Sequence, residues 1–186
     1  MMTDWEMVHW SQARQVTQLM GVKDKDAPGP AVTPDQHFAA LIKAEQYSDA
    51  AKFLAHALPR YEAVLWAQRV LDKLKSDDKR EPDEVEAMKT ARAWVGEPVD
   101  ALRRTAWEQA QAMDEATAEK LILQAIFLSG GSMAPEDLPA VHPAPDLAAK
   151  MASGAILVST HRSEKPDKAL AEALAIGEKL AQRAES

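Results

Sequence analysis

Five histidines, at positions 9, 37, 56, 142 and 161, are the side chains best suited to acid–base or metal chemistry in this 186-residue chain. None stands at metal-ligand spacing from another, and no cysteine is present to complete a zinc set. His56 falls in a helical stretch, where a hydrogen-bonded or partly exposed imidazole is the expected account. The run Ser129-Gly130-Gly131-Ser132 lacks the lysine and the preceding strand of a phosphate loop, so it reads as a helix terminus. Ser129 or Ser132 with His142 would make a nucleophile and base, but all three lie in cap and strap sequence without an elbow motif. Glu62 and Glu115 are carboxylates near apolar runs, and no spacing makes them converge. No catalytic, metal or cofactor residue is assigned, and the expectation is a protein that is not an enzyme.

The totals narrow the remaining classes. Hydrophobic residues make up 46% of the chain and only 7 residues are glycine, in long runs of A, E, K, L, Q and R that favour helix. The 11 prolines fall between those runs. A net charge of −7 argues against general affinity for nucleic acid or anionic membrane. The absence of cysteine suits a reducing compartment. No export signal opens the chain, the twin arginine Arg103-Arg104 lies mid-chain in a helix, and apolar runs fall short of the ~20 residues a spanning helix needs. The cytoplasm is the expected location.

Residues 48–75 are the stretch around which the rest is organised, two helices joined at Pro59. At about 100° per residue, Ala63, Val64, Ala67, Val70, Leu71 and Leu74 share one face of the second helix. Pro59 fits its first turn. Tyr61 and Leu65 fall on the opposite, polar face. Either a neighbouring helix of the same domain covers them or they meet another molecule. Upstream, Thr3-Asp4-Trp5-Glu6 has capping-box spacing and predicts a helix to about Met20, stopped by Gly21. Trp5, Val8, Val16 and Leu19 make one of its faces, while Met7 and Trp10 project to another. Such a helix is packed from both sides or offers one side to a partner. Trp5, Met7, Trp10, Tyr61 and Leu65 are accordingly the candidate partner-binding residues.

The Pro- and Gly-rich residues 21–32 read as a linker, dividing an N-terminal segment, 1–32, from an all-helical domain, 33–186. Thr33-Pro34-Asp35-Gln36 opens a helix, and residues 76–84 form a charged loop before a helix over 85–95. A helix over 99–113 follows, in which Arg103 and Trp107 are placed to stack. Asp114 caps a helix ending in the apolar run 121–128, which belongs at the centre. Residues 133–145 are a proline-rich strap with Met133, Leu138 and Val141 tucked inward. A small-residue helix over 146–160 and an amphipathic one from Lys165 complete the chain. The fold class is all-α, a single-domain bundle of eight or nine helices. Faint likeness between the segments starting at Asp49 and Asp100 leaves a duplicated helical hairpin open.

Two stretches together resemble an uncharacterised family of small, all-helical bacterial proteins. In residues 52–67 the matching positions are Ala57, Leu58, Pro59, Glu62, Ala63, Val64, Trp66 and Ala67. In 127–159 they are Ser129, Gly130, Gly131, Ser132, Ala134, Pro135, Pro139, Pro143 and Pro145. Phe127-Leu128 replaces a tryptophan expected beside SGGS, and Ser153-Gly154-Ala155 replaces an AGA run. The resemblance covers about residues 34 to 160. It carries no defined activity; it implies company with type VI secretion loci and hence an adaptor or chaperone for an effector or spike-tip protein. The expected partner is therefore a protein, with a homodimer open, and with neither nucleic acid nor membrane. The alternative is an immunity protein that neutralises a secreted toxin. A third reading, an enzyme or sensor, would need a ligand-sized pocket between the central helices.

Overall fold

Nine α-helices and no strand are found in residues 5–182, the part of the chain that this computed structural model describes. They are α1 (Ala13–Leu19), α2 (Pro34–Lys43), α3 (Tyr47–Ala57), α4 (Arg60–Leu74), α5 (Pro82–Gly96), α6 (Asp100–Ala112), α7 (Ala118–Leu128), α8 (Leu147–His161) and α9 (Pro166–Gln182). The all-α bundle expected from the apolar stripes is the observed architecture.

Local chemistry sets many of the ends. Thr33 and Gln36 form a reciprocal cap on α2, the Thr33 N–H donating to Gln36 Oε1 at 3.2 Å, with Pro34 in the first turn. α5 starts earlier than its stripe suggests because Glu81 donates its N–H to Glu84 Oε2 at 3.1 Å. α7 is capped by Thr117, whose hydroxyl accepts from Lys120 N at 3.1 Å; Asp114 lies too far upstream to reach the first turn. Leu58, ahead of Pro59, is extended, as the proline ring demands, and this breaks α3 from α4.

The N-terminal segment departs from the sequence reading. α-Helix is confined there, among the described residues, to Ala13–Leu19, started by a cap in which Gln12 N donates to Gln15 Oε1 at 3.0 Å. Residues 5–12 are irregular, and Thr3 and Asp4 lie outside the described residues. Trp5 turns inward against Phe38 of α2, with ring centroids 5.2 Å apart, and Met7 N donates to Ala181 O of α9 at 3.1 Å. Ala13 N donates to Val32 O at 2.9 Å, so the Pro- and Gly-rich stretch folds back on α1. Trp5, Ala13 and Val16 join the same hydrophobic core as α2–α9.

α8 lies at the centre, packed against α3, α4, α7 and α9. Ala148, Ala152, Ala155 and Ile156 are fully buried on it, and methyl-sized side chains let four neighbours come close. α4 is enclosed on more sides than its stripe indicates: Trp66 is fully buried and Leu65 nearly so, because α5, α7, α8 and α9 all touch it. The Trp66 indole Nε1 donates to Ala173 O of α9 at 2.7 Å. Gly177, one turn further on, makes room for that ring; a Cβ there would lie 2.5 Å from Trp66 Cε2 and 2.7 Å from Leu54 Cδ2. α6 and α7 pack extensively, whereas α3 and α4 touch less, so the two faintly similar helix pairs are assembled differently.

The charged loop hides a cation. Arg80 is buried, and its guanidinium donates to Glu119 Oε1 (3.1 Å), Leu71 O (2.8 Å) and Asp77 Oδ1 (2.8 Å). Arg92 of α5 in turn holds Asp72 (2.7 Å) and Asp77 (2.8 Å), joining α4, α5, α7 and the loop. The Arg92 hydrogen bonds, helped by Arg80, draw the Asp77 carboxyl down to about 2. None of the helices among the described residues is long and apolar enough to cross a membrane.

Candidate functional site

The short turn from Leu58 to Tyr61 borders two concavities. The first is built on Arg103, a buried cation on α6. Its Nε donates to Asp100 Oδ1 (2.7 Å), Nη1 to Phe127 O (2.9 Å) and Nη2 to Ser132 O (2.7 Å). Arg103, with Arg104 beside it, holds the Asp100 carboxyl below its ordinary range. The expected Arg103–Trp107 stack gives way to a shared partner: the guanidinium lies 4.9 Å from the Phe127 ring centre, and Trp107 stacks on the same ring at 4.5 Å. Gly131 has φ +68°, and a Cβ on it would come 2.9 Å from Arg103 Nη2. The SGGS run is thus both the end of α7 and a clasp around Arg103.

From that clasp the proline-rich strap closes on itself. Ser132 Oγ accepts from Ala134 N (3.0 Å) and Val141 N (3.1 Å), while Met133 N donates to Val141 O (2.7 Å). The Ser132 hydroxyl and one backbone bond hold the strap here, and two of its apolar side chains are left outside. Leu138 is 55% and Val141 52% exposed, which corrects the inward packing expected of them. His142 lies 3.2 Å from the Gly131 carbonyl through Nδ1, and not on either serine. Beside the clasp is a cleft of about 430 Å³ lined by Tyr61, Trp94, Pro98, Val99, Gly130 and Gly131. The Tyr61 hydroxyl donates to Val95 O at 2.8 Å and its ring lies 5.7 Å from Trp94, so α5 holds it in place. Val99, Leu138 and Val141 are three of the four large apolar side chains exposed among the described residues.

The five residues proposed from sequence do not form one surface. Tyr61, half-buried, lines the cleft, whereas Trp5 and Leu65 are buried in the core. Met7 is half-buried on the irregular segment, and Trp10, also half-buried, lines the second concavity. Pattern reading found the strap from its prolines but missed the outward direction of Leu138 and Val141, which depends on where the strap closes.

The second concavity, of about 320 Å³, lies between residues 9–10, the α3–α4 turn and Ala149 of α8. His56 belongs to its wall and is 5% exposed. Its Nδ1 lies 2.7 Å from Lys52 O, and a carbonyl can only accept, so Nδ1 carries the proton. Burial lowers the His56 pKa, outweighing the Lys52 bond and Asp146, so the ring is neutral and Nε2 is an acceptor. No group of the described residues bonds Nε2, a lack that costs about 1–3 kcal/mol in a folded protein. Burial also lowers the pKa of His37, whose ring meets Phe53 edge-on at 4.7 Å. Among the described residues no three His, Asp or Glu side chains converge as a metal site.

No curated protein and no solved structure matches the chain. One family does match, over residues 37–181, which takes in α3 to α8, the clasp, the strap and most of α2 and α9. With that match covering well over half its length, the chain belongs to the DUF6931 family, a family of unknown function.

Proposed function

We propose that this protein is a non-enzymatic binding protein, an accessory factor of type VI secretion that holds an effector or spike-tip protein before export. The secretion assignment rests on the resemblance carried by the ALP turn and the SGGS strap. The binding role rests on one observation: Val99, Leu138 and Val141 are exposed on a braced frame beside the Tyr61–Trp94 cleft. Large exposed apolar side chains are few among the described residues, and a strap closed by its own hydrogen bonds loses little entropy on binding.

The test is affinity purification from the native host, comparing the natural chain with a Leu138→Asp, Val141→Asp double variant. Both positions are exposed, so thermal unfolding should be unchanged while recovery of a secretion effector or tip protein falls at least about tenfold. Equal recovery with both chains removes the strap as the docking surface. Co-expression with each retained effector separates delivery from immunity: increased secretion supports the adaptor, and rescue from toxicity without secretion overturns it.

A further inference from the structure

We propose that the cavity between the α3–α4 turn, α8 and residues 9–10 binds a small, largely apolar molecule bearing one hydrogen-bond donor, which His56 Nε2 receives. This site is independent of the docking surface at the strap. Its volume, about 320 Å³, suits one or two rings, and Trp10, Leu19, Leu58, Pro59, Pro145 and Ala149 give it apolar walls. The polar element is chemically specific. With its Nδ1 proton committed to Lys52 O, a neutral His56 offers only a lone pair at Nε2. A hydroxyl or N–H is therefore favoured there, and a carboxylate or carbonyl is repelled.

The charges around the ring leave that role intact. Asp146, just ahead of α8, and Lys150 on it act on His56 in opposite senses and are paired with each other at 2.5 Å. His9 and Arg60, also in the wall, are exposed to solvent. Nε2 itself is closed off from solvent, so a ligand reaches it by shifting part of the wall. One side of that wall is His9-Trp10, in the irregular stretch ahead of α1. A displaced Trp10 would report occupancy directly.

The experiment uses the full chain, labelled with ¹⁵N, titrated with 4-ethylphenol and with 4-ethylanisole, which differ by a methyl group on the donor oxygen. The phenol is expected to move the Trp10 indole N–H and His56 Nε2 resonances and to bind about 3- to 10-fold more tightly than the anisole. His56→Phe should abolish the preference while retaining weak binding of both, and Ala149→Phe, which fills the cavity, should exclude both. Equal affinities on the natural chain overturn the proposal, as do shifts that bypass Trp10 and His56, or failure of both probes to bind. These comparisons need no variant, so they hold even where a substitution impairs folding.

Discussion

Arg103 satisfies a carboxylate and two carbonyls at once, and Gly131 is what allows the loop to come so near it. Gly131→Ala combines a left-handed backbone with a Cβ 2.9 Å from the guanidinium. It should cost about 1–3 kcal/mol by urea unfolding, whereas Gly130→Ala, with open space at its Cβ, should cost under about 1 kcal/mol. The motif was legible as a helix terminus; its second role was not, because Phe127 and Ser132 meet Arg103 only through tertiary packing of α6 on α7. Asp77 gives a residue-scale expectation in pH. Its pKa falls from 3.8 unfolded to about 2 folded, so its contribution is complete above the unfolded value and disappears as pH drops through the folded one. Asp77→Asn should therefore flatten the fall of melting temperature between about pH 4 and 2, read by circular dichroism at each pH.

At the scale of elements, periodicity located the helices because an apolar stripe is written in one segment alone. Which extra faces are covered is decided by neighbours distant in sequence, and so Trp66 and Leu65 on α4 could not be placed from their own helix. Gly177 shows the same limit from the other side. In sequence it is a glycine within a helical run, and in the structure it is the gap that the Trp66 indole fills. Gly177→Ala improves helix propensity by about 1 kcal/mol, yet contacts of 2.5–2.9 Å with the buried Trp66 ring and the Leu54 side chain leave no space for the methyl group. Overpacking should prevail, with net destabilisation of about 1–2 kcal/mol in denaturant titration. The helix expected from the capping-box residues to Met20 failed for a related reason: burying Trp5 against Phe38 and capping at Gln12 outweighed a local start signal.

For the whole molecule, the family match begins at residue 37, but the core does not. Deleting residues 1–30 removes Trp5, Ala13 and Val16 and uncovers Phe38. Losing a buried tryptophan alone costs about 3–5 kcal/mol, so the shortened chain should show a lowered urea midpoint and weakened near-ultraviolet circular dichroism. An unchanged midpoint would mean that the leading segment contributes nothing to folding. The central position of α8 has a consequence for biosynthesis. The helix that seals α3, α4 and α7 is made from residues 147–161, so it is translated after most of its partners. Until it leaves the ribosome, the oily sides of those earlier helices have no permanent cover, and the nascent polypeptide must travel most of its length in need of temporary shelter.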